Sequence, residues 1–136
     1  VFGGEHSAHY YFKDFFNADT GMLAAMHVLA ALGEQDAPLS ELMDRYDPYT
    51  ASGEINSEIE DKAAAVDRVR AHFAAEDPAV TVEDMDGTTF THPEQGWWFN
   101  LRPSNTEPFL RLNVEAPDAA AMETVRDTVL RIVREG

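Results

Sequence analysis

The sequence predicts an α+β fold over residues 48–136, an antiparallel sheet with helices on one face. Three observations carry that prediction. From Val80 onward the hydrophobic period falls to two, in short runs at 80–83, 87–91 and 97–101 and a longer alternation at 109–115. Two stretches at helical spacing bracket these runs. Residues 61–75 put Val66, Val69 and Phe73 on one side, and a helix opening at Asp118 or Ala119 aligns Met122, Val125, Val129, Ile132 and Val133. Residues 49–59 alternate loosely and supply one more strand ahead of the first helix. The order is therefore β-α-β-β-β-β-α, a layered arrangement of sheet and helices.

Each element has a local reason. Residues 1–19 read as a loop-like opening dense in aromatics (Phe2, Tyr10, Tyr11, Phe12, Phe15 and Phe16), with a short buried strand around Tyr10–Phe12. Asp19 or Thr20 suits the N-cap of an Ala- and Leu-rich helix over 21–32, with Gly33 as its stop. That helix is apolar nearly all round, which calls for burial against further protein. A short helix over 38–45 ends at Asp47-Pro48, and the domain boundary is placed there, between 1–47 and 48–136. Pro78 stops the 61–75 helix. Asp86-Gly87 reads as a tight turn, and Phe109, Arg111 and Asn113 alternate with Leu110, Leu112 and Val114 as a half-buried strand. Of Trp97 and Trp98, one is expected in the core and one at a surface. His27, His72 and His92 stand alone, the last two expected to be exposed.

The chain has 136 residues, 25 acidic and 10 basic, for a formal charge of −15. Nucleic acid and anionic membranes need a basic face, so both are excluded as partners. A small phosphorylated ligand is not, because a local arginine pair outweighs a distant field screened over about 8–10 Å. No cysteine is present, so there is neither a disulfide framework nor a thiolate metal site; this fits a reducing, cytoplasmic setting. No apolar run approaches the roughly 20 residues of a membrane helix, and the first residues carry no signal-peptide pattern.

The chemistry is concentrated in Arg102-Pro103-Ser104-Asn105-Thr106-Glu107-Pro108, between two strands. A guanidinium, two hydroxyls, an amide and turn-exposed N–H groups are what the oxygens of a phosphate monoester require. The plain alternative is a polar hairpin turn whose Ser104 and Asn105 bond their own backbone. At the other end, Glu5, Ser7 and His9 alternate, so in an extended loop they share one side. A carboxylate and a hydroxyl suit vicinal sugar hydroxyls, and a histidine beside them can shuttle a proton. Glu5-His6-x-x-His9 also has a spacing that serves zinc, but Gly3-Gly4 disfavours a helix there and no third ligand is evident.

These motifs resemble those of the α-D-phosphohexomutases, which include phosphomannomutase and phosphoglucomutase. Arg-x-Ser-Asn-Thr-Glu-Pro followed by Arg111 is similar to their C-terminal phosphate-binding loop. Gly3-Gly4-Glu5-His6-Ser7-Ala8-His9 is similar to their sugar loop, and Ser52-Gly53-Glu54-Ile55-Asn56 to the start of their last domain. Ala8 stands where the family has glycine, which matters only if that residue needs positive φ.

The resemblance implies a TBP-like fourth domain over 48–136, preceded by the tail of the sugar-binding third domain. It implies phosphate binding by Arg102, Ser104, Asn105, Thr106 and Arg111, sugar binding by Glu5, Ser7 and His9, and His9 as candidate acid/base. The activity implied is interconversion of hexose 1- and 6-phosphates of mannose or glucose through a 1,6-bisphosphate. Phosphoglucosamine mutase is the neighbouring alternative, and a stand-alone phosphate-binding or interaction domain the non-catalytic one. The family's phosphoserine loop and magnesium loop do not occur in this sequence. Magnesium ligands and the remaining domains are therefore expected outside this chain, no metal within it, and residues 1–32 are expected either to exchange their amide protons quickly or to bury themselves against another copy, a self-association in place of the missing partners. The chain alone should show no mutase turnover on mannose 1-phosphate or glucose 1-phosphate, with or without magnesium and hexose bisphosphate. Turnover that survives removal of host enzymes would overturn that expectation.

Overall fold

The computed structural model describes residues 2–5 and 8–135, which form two compact units, Val1–Asp47 and Pro48–Gly136. In the first, β1 (Phe2–Gly4), β2 (Tyr10–Phe12) and β3 (Ala18–Asp19) make a small antiparallel sheet in the order β1-β2-β3. The opening expected to be loop-like is thus a meander. Its strands are too short for a period of two to show in the sequence, and tight turns join them. Ala8 N–H donates to the Glu5 carbonyl and Ala18 N–H to that of Phe15, with Ala8, Phe16 and Asn17 all at positive φ. Tyr10 and Phe12 are half-buried rather than buried.

Thr20 Oγ1 accepts from Leu23 N–H at 3.3 Å and opens α1 (Gly21–Gly33). Gly33 is the last helical residue and not a left-handed stop; the helix closes at Glu34, in the right-handed region. No residue of α1 is buried, and Met22, Met26 and Leu29 are exposed. The short α2 (Leu39–Asp44) follows Pro38 and buries Leu42.

The second unit has the expected order, with its first strand broken. Residues expected as one strand form β4 (Thr50–Ala51) and β5 (Ile55–Glu58), because Gly53 at φ +68 turns the chain between them. Both pair with β9 (Phe109–Ala116), and the sheet continues through β8 (Trp97–Pro103), β7 (Thr88–His92) and β6 (Thr81–Glu83). All pairings are antiparallel. The two helices are α3 (Lys62–Glu76), capped by Asp61 on Ala64 N–H, and α4 (Ala119–Glu135), capped by Asp118 on Ala121 N–H.

One face of this sheet is the core. Phe90, Trp97, Phe99, Leu101, Leu110, Leu112, Val114 and Ala116 alternate inward and meet Ala65, Val69 and Phe73 of α3 and Met122, Val125, Val129 and Val133 of α4. Phe90 and Phe99, cross-strand partners, stack at 4.6 Å, and Phe73 packs on both. Trp97 is buried and Trp98 half-buried.

His92, expected to be exposed, is buried, because it continues the inward alternation of Thr88 and Phe90. Its Nδ1 accepts from Gln95 N–H, so Nε2 carries the proton and donates to Asp77 Oδ2 at 2.8 Å. The pair ties the end of α3 to the β7–β8 turn.

Gly87 shows how closely the β6–β7 turn lies on β8. It has φ +74, and a Cβ there would stand 2.6 Å from the Leu101 carbonyl oxygen. Gly87→Ala should therefore cost about 1–3 kcal/mol in chemical denaturation. Gly53→Ala, at positive φ but with nothing within 4 Å, should cost only the conformational part, roughly 1 kcal/mol. Equal losses would show that the close approach is no constraint.

Candidate functional site

The β8–β9 connection is held by three kinds of bond. Ser104 N–H donates to the Phe109 carbonyl at 2.9 Å, closing the turn. Glu107 N–H donates to Ser104 Oγ at 3.2 Å. Lys62 Nζ donates to the carbonyls of Ser104 and Glu107, at 3.0 and 2.7 Å. The Ser104 hydroxyl accepts within the turn, so its own hydrogen is left for an outside acceptor. The side chains of Asn105 and Thr106 are exposed and make no hydrogen bond to the described residues. The plain polar-turn arrangement is thus present for Ser104 but not for Asn105.

Register brings the two arginines together. Arg102 lies opposite Arg111, and Arg111 opposite Asn56, so all three stand in a row on the sheet face away from the helices. Arg102 is half-exposed and pairs with Asp86 at 3.2 Å. Arg111 pairs with Glu107 at 3.2 Å, and its Nε lies 3.8 Å from Glu54. That Nε is buried and has no hydrogen-bond partner among the described residues. The site therefore holds two guanidinium forks, a free hydroxyl hydrogen, an amide and a second hydroxyl within one turn. That donor set has the chemistry a tetrahedral oxyanion would require. Lys62 and Asp86 were not singled out from the sequence. A lysine at the head of a helix carries no signal of its own, whereas Asp86 was noticed only for its turn.

The first unit carries the other motif, from which Ser7 and His6 lie outside the described residues. Glu5 N–H donates to the His9 carbonyl at 2.9 Å, and Glu5 Oε1 accepts from the Tyr11 hydroxyl at 2.7 Å. His9 Nδ1 meets Asp19 Oδ2 at 2.6 Å, while Asp19 Oδ1 accepts from Tyr10 N–H at 2.8 Å. Asp19 thus engages the imidazole through Nδ1 and leaves Nε2 outside that bond, a role beyond the helix cap its position in the sequence suggests. Ala8 sits at φ +65, the conformation for which glycine is favoured. Among the described residues no group of three or more His, Asp or Glu is placed to hold a metal. No described helix is long and apolar enough to cross a membrane.

The class defined by this geometry is an α+β unit with paired arginines and a donor-rich turn at one end of its antiparallel sheet. Residues 54–132 match the phosphoglucomutase/phosphomannomutase C-terminal domain, and residues 1–49 match phosphoglucomutase/phosphomannomutase, alpha/beta/alpha domain III. The chain belongs to the phosphoglucomutase/phosphomannomutase family. It is 43% identical over 137 residues to a phosphomannomutase of Escherichia coli, covering 99% of this chain and 29% of that protein. A phosphomannomutase of Methanocaldococcus jannaschii is 36% identical over 132 residues, covering 97% of this chain and 28% of the relative. A crystal structure of a family protein from Burkholderia thailandensis superposes with a TM-score of 0.75 at 27% identity, over 99% of this chain and 29% of that one. The chain spans about 29% of the length of the relatives it matches.

The hydrogen bond that His9 donates to Asp19, helped by the carboxylate's charge, raises the His9 pKa above the ordinary histidine value, and the same bond lowers Asp19. The pairing therefore stabilises His9 below its unfolded pKa, and that contribution is lost as pH rises through the raised folded value. For Asp19 the contribution is present above its unfolded pKa and lost as pH falls through the lowered one. Asp19→Asn, which keeps an acceptor for Tyr10 N–H, should move the midpoint of the His9 ring signals down in an NMR titration. An unchanged midpoint would rule out the pairing.

Proposed function

We propose that this chain is the sugar- and phosphate-recognising C-terminal part of a phosphohexomutase that interconverts hexose 1- and 6-phosphates through a 1,6-bisphosphate. The observation that carries the reading is the cross-strand pair Arg102 and Arg111 beside a turn with unspent donors. Two like charges opposite one another cost stability, and an anion between them turns that cost into binding. On this reading Arg102 and Arg111 clamp the phosphate that is not being transferred, and Ser104, Asn105 and Thr106 supply the remaining hydrogen bonds. Asp86 and Glu107 hold the two forks in the absence of ligand.

Glu5, Ser7 and His9 then recognise the hexose, mannose or glucose, through its hydroxyls. His9 is the candidate acid/base: its Nε2 accepts a hydroxyl proton, and Asp19 stabilises the imidazolium that results. The nucleophile and the magnesium of the reaction would be supplied by the domains beyond this chain, because the described residues do not fit a metal site; no step proposed here passes through it. The cytoplasm suits a sugar-phosphate enzyme, and the lack of cysteine in this chain agrees with that setting.

The test is Arg102→Ala in a full-length enzyme bearing this sequence. Hydrogen bonds to a charged group contribute roughly 1.5–3 kcal/mol each, so kcat/KM should fall by about one to two decades. Arg102→Lys should recover only part, since an ammonium keeps the charge but not the fork. Melting temperature should hardly move, because Arg102 is half-exposed and contributes no core packing. Wild-type kcat/KM in the alanine variant would remove the assignment.

A further inference from the structure

We propose that Lys62 is a positioning residue for the phosphate turn, holding residues 104–107 in the form that receives the anion; the inference rests on the reading of that turn given above. Lys62 begins α3 and is only half-exposed. Two of its three N–H donors go to the carbonyls at the two ends of the turn, Ser104 at 3.0 Å and Glu107 at 2.7 Å. Among the described residues it forms no ion pair, although the chain has 25 carboxylate side chains and 10 basic ones. Its charge is therefore spent on backbone dipoles.

That choice of acceptors sets the direction of the turn's own donors. In a trans peptide the C=O of one residue and the N–H of the next point opposite ways. A Ser104 carbonyl drawn to Lys62 leaves the Asn105 N–H directed away from it, and that N–H makes no hydrogen bond to the described backbone. At the other end Glu107 is followed by Pro108, which has no N–H to turn. Its carbonyl is thus held at no loss of a donor. Between these two anchors Glu107 N–H reaches Ser104 Oγ, which fixes the hydroxyl with its hydrogen free. One ammonium thereby orders an outward amide and an outward hydroxyl without touching the ligand. It also adds a third positive charge at the turn, beside the carboxylates that pair with Arg102 and Arg111.

The experiment compares the 136-residue chain with its Lys62→Met, Lys62→Arg and Arg102→Ala variants. Inorganic phosphate is the probe, followed by the amide shifts of the turn, and hydrogen exchange at Glu107 N–H and thermal melting are measured in parallel. Lys62→Met is expected to speed Glu107 exchange and weaken phosphate binding about tenfold, the size of one hydrogen bond, with the melt of the sheet unchanged. Lys62→Arg, able to donate to both carbonyls, should restore much of both. Wild-type exchange and affinity in Lys62→Met would overturn the inference. So would weakened affinity with unchanged exchange, which would make Lys62 a bare charge, or weakening that merely follows a lowered melt. If wild type takes up no phosphate, the phosphate reading fails; faster exchange in Lys62→Met would still establish the hold of Lys62 on the turn.

Discussion

Two like charges fixed opposite one another on neighbouring strands are the constraint that shapes the second unit. Directly opposed guanidiniums oppose pairing by a few tenths of a kcal/mol to about 1 kcal/mol, yet Arg102 and Arg111 sit in register over an inner face that is largely apolar. The sheet tolerates them because the core beneath, with Phe90 stacked on Phe99 and Leu101 beside Leu112, fixes the register far more strongly than the charges oppose it. Each neutralising carboxylate comes from a different connection: Asp86 from the β6–β7 turn, Glu54 from the bend between β4 and β5, Glu107 from the β8–β9 turn. Those connections approach because Gly87 admits a carbonyl where a Cβ would clash and Gly53 turns the strand. The glycines and the charges are parts of one arrangement.

The overall charge of −15 does not contradict an anion site. Exposed carboxylates farther off than a Debye length are screened, while three cations at one turn act at contact distance.

The second unit was legible in the sequence because its signals are long. Residues 109–116 alternate over a whole strand, and the α3 and α4 stripes repeat over several turns, so period alone separates them. In the first unit both helices and the strand at Tyr10–Phe12 were legible, but β1 and β3 were not, because strands of two or three residues fall below the length at which alternation can be counted. The split of residues 49–59 was hidden for a related reason: Gly53 is visible as a letter, but its positive φ is set by pairing both halves with β9. His92 differs from its expected exposure because the strand runs one residue beyond the apolar alternation at 87–91, which places it two residues on from Phe90 on the inward face. In the site, the arginines and hydroxyls announced themselves by composition. Lys62, Asp86 and Asp19 act through contacts 10 to 45 positions apart in sequence, which no local window contains.

The broken first strand has one more consequence. Sheets aggregate through long, flat, unpaired edges. Here one margin is made of two short pieces, β4 and β5, set apart by a left-handed bend, and the other is the three-residue β6, ending in Glu83. Neither offers a continuous row of amides to a second molecule. The sheet is thus poorly suited to template-like growth from either margin.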